Sequence, residues 1–228
     1  MILNIETSSK ICSVALCEGG DVFFSLKSET EMDHAVKLAP FVETALKELK
    51  LKEKKLEAVA VSLGPGSYTG LRIGLSFAKG LCFGRKLPLI GVSTLELMAT
   101  KAMFEDCVFN EETVFIPLID ARRMEVYTAA YNLSLETLME PQALILQPDS
   151  FSSFNNRRVI MIGDGCRKAR EILQLTVDKW IEEMPLATDM NALSERAFRN
   201  RDFLDLAYST PFYLKNFQAT TPKKNIIC

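Results

Sequence analysis

The apolar residues change their spacing in an order that few folds accommodate. Residues 1–7, 11–17 and 21–28 are short runs of strand type, the last two separated by Gly19-Gly20, a hairpin signal. From Asp33 the period becomes helical, with Ala35, Leu38, Phe41, Val42, Ala45, Leu46 and Leu49 on one face and Pro40 placed to bend the helix. The lysine-rich stretch 50–55 closes that helix. Residues 56–63 then read as a buried strand, 69–84 as a second helix, 88–92 as a strand and 94–104 as a third helix, so the order is βββαβαβα.

After residues 107–112 the same order returns. Strands are expected at 114–120, 125–131 and 137–146, a short helix near Phe151, a strand at 159–162, and helices at 167–175 and 191–203. A duplicated three-strand unit whose parallel crossovers cover both faces of a sheet predicts an α/β chain with the duplicated fold of actin, Hsp70 and the sugar kinases. The two βββαβαβα subdomains are expected at 1–104 and 105–228. Residues 207–228 carry two prolines and few periodic positions, so they are expected to wrap the surface and end disordered.

Charge and cysteine usage narrow the function classes. The first six residues hold no basic region, and Glu6 interrupts the apolar run, which argues against a signal peptide; no apolar stretch reaches membrane-spanning length. Cys12, Cys17, Cys82, Cys107, Cys166 and Cys228 form no CxxC pair and read as reduced thiols in a cytoplasmic protein. A net charge of −2 removes the general attraction to phosphate that a nucleic-acid binder needs, so any RNA is expected to be held by another subunit.

The most distinctive segment is Ser62-Leu63-Gly64-Pro65-Gly66-Ser67-Tyr68-Thr69-Gly70-Leu71-Arg72-Ile73-Gly74, joining a buried strand to a helix. Its glycines at a helix start could expose N–H groups to a phosphate. Equally, the segment reads as a tight turn with a capping Ser or Thr. It is neither a Walker loop, because no Lys-Ser/Thr follows, nor a G-x-S-x-G elbow, because Pro65 and Thr69 flank Ser67. Glu6-Thr7-Ser8-Ser9 and Asp120-Ala121-Arg122-Arg123 stand where this fold grips phosphate, yet neither contains glycine, which weakens nucleotide binding. Ile162-Gly163-Asp164-Gly165 reads as a strand-ending turn. His34 is the sole histidine, too few for a two-histidine metal site; Asp33 is expected to cap the first helix with His34 on its exposed first turn.

These residues resemble the TsaB (YeaZ) family of the machinery that makes N6-threonylcarbamoyladenosine at position 37 of tRNA. The resemblance runs nearly end to end. It rests on Leu3-Asn4-Ile5-Glu6-Thr7-Ser8, the block from Gly64 to Gly80, Pro88-Leu89-Ile90-Gly91-Val92-Ser93, Asp120-Ala121-Arg122-Arg123 with Glu125-Val126-Tyr127, and Pro211-Phe212-Tyr213-Leu214-Lys215. Glu6 departs from the aspartate more usual there. The catalytic relative TsaD is similar across residues 64–98 but carries an H-x-x-x-H metal pair where this chain has Thr94 and Met98, a substitution that cannot hold iron or zinc. The resemblance therefore implies a pseudo-enzyme without cofactor or metal. It pairs with a TsaD-like catalytic subunit, is joined by a TsaE-like ATPase, and meets tRNA only through the complex.

The residues point to a pairing surface on the second helix. Only Arg72, Ser76 and Lys79 are clearly polar between residues 70 and 83, so one stripe is expected to meet water and apolar surface to cover the rest. Gly70, Gly74 and Ala78 recur every four residues, a spacing that admits another helix close to the backbone; with Ile73, Phe77 and Leu81 they form the expected partner face, close packing on the chain's own sheet being the alternative. Pairing with a second copy of the chain stays open. So do two enzyme classes, an autonomous ATPase or small-molecule kinase of this fold and a metallopeptidase-like hydrolase; glycine-poor loops oppose the first and the single histidine the second.

Overall fold

The computed structural model describes residues 1–28, 30, 33–107 and 110–215. Strands β1 (Ile2–Glu6), β2 (Ser13–Glu18) and β3 (Asp21–Lys27) form an antiparallel meander, its second turn made by Gly19 and Gly20 with φ of +63° and +97°. Helix α1 (His34–Leu51) crosses to β4 (Ala58–Gly64), which pairs parallel with β1, and α2 (Tyr68–Arg85) crosses to β5 (Leu89–Ser93), parallel with β4. The sheet order is β3-β2-β1-β4-β5.

Helix α3 (Thr94–Asp106) leads into the repeat. Strands β6 (Thr113–Asp120), β7 (Glu125–Tyr131) and β8 (Thr137–Ile145) form the second meander, and β9 (Arg158–Ile162), α4 (Cys166–Ile172), β10 (Lys179–Ile181) and α5 (Asn191–Asn200) complete it. Its order, β10-β9-β6-β7-β8, is the first sheet's order read from the other edge, with β6 antiparallel to β7 and parallel to β9. The chain thus has the duplicated actin and sugar-kinase type of fold. In the second half a single 3₁₀ turn (Ser152–Phe154) stands where α1 stands in the first. The border expected at 104/105 falls inside α3.

Alternating strand residues divide the core into layers. On one face of the first sheet, Leu3, Ile5, Val14, Leu16, Val59 and Val61 pack under α1 and α2. On the other, Ile2, Ala58, Ala60, Ile90 and Val92 meet Leu97 of α3, Leu193 of α5 and Met190 just before it. Helix α3 also turns Leu95, Met98, Ala99 and Ala102 onto the second sheet, against Phe115, Ile119, Ile160 and Ile162. Wedged between two sheets, α3 buries residues on more than one face, and only its last turn, with Phe104 and Glu105, opens to solvent. No helix among the described residues is long and apolar enough to cross a membrane.

After α5 the chain runs as a strap over β5 and α2. The Leu204 and Phe212 N–H groups donate to the Leu89 and Leu63 carbonyls at 2.8 and 2.7 Å. Lys79 Nζ donates to the Ala207 and Ser209 carbonyls at 3.2 and 3.0 Å, and Arg72 Nε to Tyr213 Oη at 3.2 Å. The Arg72 guanidinium also lies 4.1 Å from the centre of the Tyr68 ring, itself 4.9 Å from that of Tyr213. The polar stripe of α2 meets water at Arg72 and Ser76, as expected, and through Arg72 and Lys79 it also holds the chain's own strap. The disordered end expected for the tail lies outside the described residues.

Candidate functional site

The crevice lies at the carboxyl ends of β1, β4 and β6, where a sheet of this type presents its loops. The glycine segment opens α2, and Ser67 caps the helix by accepting from the Gly70 N–H at 3.2 Å. Ser67 N–H donates to the Ser8 carbonyl at 2.6 Å, tying this turn to the loop after β1. A Cβ at Gly66 would strike the Ser8 carbonyl, one at Gly70 the Thr7 carbonyl, and one at Gly74 the Thr7 hydroxyl. The glycines therefore let α2 lie on the chain's own first loop, and the capping serine expected of a tight turn is Ser67.

That contact corrects the expected partner face. Gly70 is buried against the Thr7 carbonyl and Gly74 against the Thr7 side chain, while Ala78 is fully buried in the first core, so none of the three is open to a partner helix. Ile73, Phe77 and Leu81 are half-buried at the edge of the first core and remain accessible. Close by in sequence, Phe83 is 80% exposed.

Under the glycine turn sits a buried polar cluster. Glu6 Oε1 accepts from the Ser8 N–H at 2.5 Å and the Ser62 hydroxyl at 3.1 Å, while Oε2 is buried and finds no partner among the described residues. Burial pushes the Glu6 carboxyl up to about 7, against the opposing effect of the Ser8 and Ser62 bonds. The Thr7 hydroxyl is likewise buried without a partner among the described residues. His34, expected on an exposed turn, is 4% exposed, and burial holds its imidazole below the usual range. Asp33 makes no capping bond; its carboxylate accepts from the Thr30 hydroxyl at 2.7 Å instead.

Across the crevice, Arg122 and Arg123 both adopt the left-handed conformation, with φ of +68° and +50°. The turn is held by Asp120, whose Oδ1 accepts from the Arg122 N–H at 2.6 Å and from Lys168 Nζ at 2.8 Å. Asp164 Oδ1 accepts from the Asp120 N–H at 2.8 Å. The charge of Lys10, from the first loop, is felt at Asp164, so the two loops face one another. Gly163 and Gly165 admit the Leu118 backbone, in keeping with a strand-ending turn.

Thr94 and Met98 lie one turn apart at the start of α3, both fully buried, with Met98 in the apolar layer between the sheets. No group of three His, Cys, Asp or Glu side chains among the described residues could hold a metal ion. Sequence reasoning missed Ser62 as a Glu6 partner and Lys168 as the clamp of the second loop. Ser62 carried a signal, a hydroxyl interrupting an otherwise apolar strand; Lys168 carried none.

The chain matches the family model described as TsaD: tRNA N6-adenosine threonylcarbamoyltransferase over residues 27–213. It is 30% identical to tRNA threonylcarbamoyladenosine biosynthesis protein TsaB of Escherichia coli (strain K12) over 94% of each chain. The corresponding protein of Buchnera aphidicola subsp. Schizaphis graminum is 31% identical over 75% of this chain and 81% of its own. Among solved structures, YeaZ from Pseudomonas aeruginosa superposes with a TM-score of 0.78 at 26% identity, covering 93% of this chain and 99% of that one.

Proposed function

Since the chain belongs to the TsaB family of tRNA threonylcarbamoyladenosine biosynthesis, we propose that it is the non-catalytic, activating subunit of the cytoplasmic complex that transfers threonylcarbamoyl to adenosine 37 of tRNA. It pairs with a TsaD-like catalytic subunit, is joined by a TsaE-like ATPase, and meets tRNA through the complex.

The observation that carries this reading is Met98. Where the catalytic relative places a metal-binding histidine, this chain buries a thioether fully in the apolar layer between its sheets. Refilling that position with an imidazole would put a polar ring in an apolar core. For pairing, the support is the outer boundary of α1 and α2, where Phe41, Leu46, Ile73, Phe77 and Leu81 stay half-buried and Phe83 exposed. An apolar margin along two adjacent helices suits a partner that brings helices of its own.

Reconstitution tests the proposal. Transfer to tRNA is expected from the catalytic subunit, the ATPase and the threonylcarbamoyl-adenylate-forming enzyme only when this chain is present, and none from this chain alone. Full turnover without it, or transfer by the isolated chain, overturns the reading. An Ile73→Arg, Phe77→Arg double variant that keeps its circular dichroism spectrum is expected to lose affinity for the catalytic subunit by at least about tenfold.

A further inference from the structure

Helix α5 covers the sheet face opposite α1 and α2, and the side it turns to solvent carries Ala192, Arg196, Arg199 and Asn200 at helical spacing. Two depressions meet along this stripe at Ala192 and Arg196. One, of about 300 Å³, lies between α3, the β7–β8 turn and α5, and is walled by Met103, Phe104, Leu133 and Leu135. Phe104 is 63% exposed there, a large apolar ring left at the rim. The other, of about 320 Å³, lies between α5 and the Gly19-Gly20 turn and presents Arg196, Arg199 and Asn200.

The charge of this groove is not balanced from within. Arg196 makes no hydrogen bond or ion pair among the described residues. Glu195, the acidic residue in the wall, is already engaged: it accepts from the Gly19 N–H at 2.9 Å and lies 3.5 Å from Arg199. The guanidinium of Arg199 is largely exposed, which leaves donors free for another carboxylate. An apolar slot thus runs into a cationic one across a single turn of helix, small at the crossing because position 192 is alanine.

We propose that this groove docks an amphipathic helical segment of a partner protein, apolar on one face and carboxylate-bearing on the other. The apolar side chains enter the slot between Leu133, Leu135 and Phe104, and the carboxylates reach Arg196 and Arg199. Both depressions open to solvent along the helix, whereas a small-molecule site encloses some 70–90% of its ligand, so a chain segment laid across the groove fits better than a metabolite sunk in it. Because α1 and α2 lie on the other side of the sheet, this partner and the catalytic subunit can be held together.

The test uses the full chain and two fluorescein-labelled amphipathic helical peptides, with leucines on one face and either glutamates or lysines on the other. The glutamate peptide is expected to bind saturably and at least about tenfold more tightly than the lysine peptide. In an Arg196→Glu, Arg199→Glu variant, whose exposed substitutions leave the core untouched, that preference is expected to reverse; Leu135→Ser is expected to weaken both peptides. Absence of saturable binding, or a preference unchanged by the charge reversal, overturns the proposal. Displacement of the glutamate peptide by sodium dodecanoate at lower concentration than unlabelled peptide also overturns it, assigning the groove to an acyl chain.

Discussion

Glu6 is a carboxyl placed where the chain leaves it two hydrogen bonds on one oxygen and none on the other. Its folded value of about 7 stands above the ordinary 4.5, so the folded protein holds this proton more tightly than the unfolded chain does. The favourable contribution is therefore complete below about 4.5 and is lost as pH rises to about 7, a swing on the order of 3 kcal/mol. Urea denaturation of Glu6→Gln against the parent at pH 5 and pH 8 is expected to show the parent losing stability relative to the variant at the higher pH; parallel profiles would show that the carboxyl is solvated. His34 works in the other direction, since an imidazole held below its usual range costs stability as pH falls through the acid side. The unusual carboxyl was legible at position 6, but its burial was not. For His34 the sequence reading was mistaken, because a helix's first turn is exposed only when no neighbouring loop folds over it, and here the loop carrying Ser9 does.

At the scale of the element, α2 separates two roles that four-residue glycine spacing cannot distinguish. The period of the helix, its start at Ser67 and its lack of tolerance for side chains at 70 and 74 were all readable. Which wall those glycines face was not, because spacing records closeness and not the identity of the neighbour. With Thr7 as that neighbour, Gly74→Leu is expected to destabilise the isolated chain by about 1–3 kcal/mol or more through overpacking, despite the better helix propensity of leucine. Gly80, in the same helix, has open space where its Cβ would stand, so Gly80→Ala is expected to stabilise by about 0.5–1 kcal/mol. Thermal melting of both variants checks the pair. A Gly74→Leu protein that melts like the parent but no longer binds the catalytic subunit would return the glycine row to the partner face. That the tail wraps the surface was readable, but where it lands was not, because nothing in the sequence of α2 shows that Arg72 and Lys79 hold it.

For the whole molecule, the repeated order of strands and helices was visible from periodicity, and nine of the ten described strands follow it, the short edge strand β10 being the one not read. The exchange of cover between the two sheets was not visible. The apolar residues of α3 announce burial, but the helix divides them between two sheets, and the first sheet's far face is closed by α5, from the other end of the sequence. Residues 1–104, expressed alone, are therefore expected to aggregate or bind a hydrophobic dye, because Ile2, Ala60, Ile90 and Val92 would lose Met190 and Leu193. The intact chain is expected to unfold in one transition, with calorimetric and van't Hoff enthalpies in agreement; two resolved transitions would mean that the halves are independent. The same exchange bears on how the protein is born. About a hundred residues are synthesised between Val92 and Met190, on the order of 5–20 s at the ribosome's pace. Throughout that interval the nascent first sheet has an apolar face with nothing of its own to lay on it, which makes the emerging chain a client for a chaperone at the exit tunnel until its last helix is free.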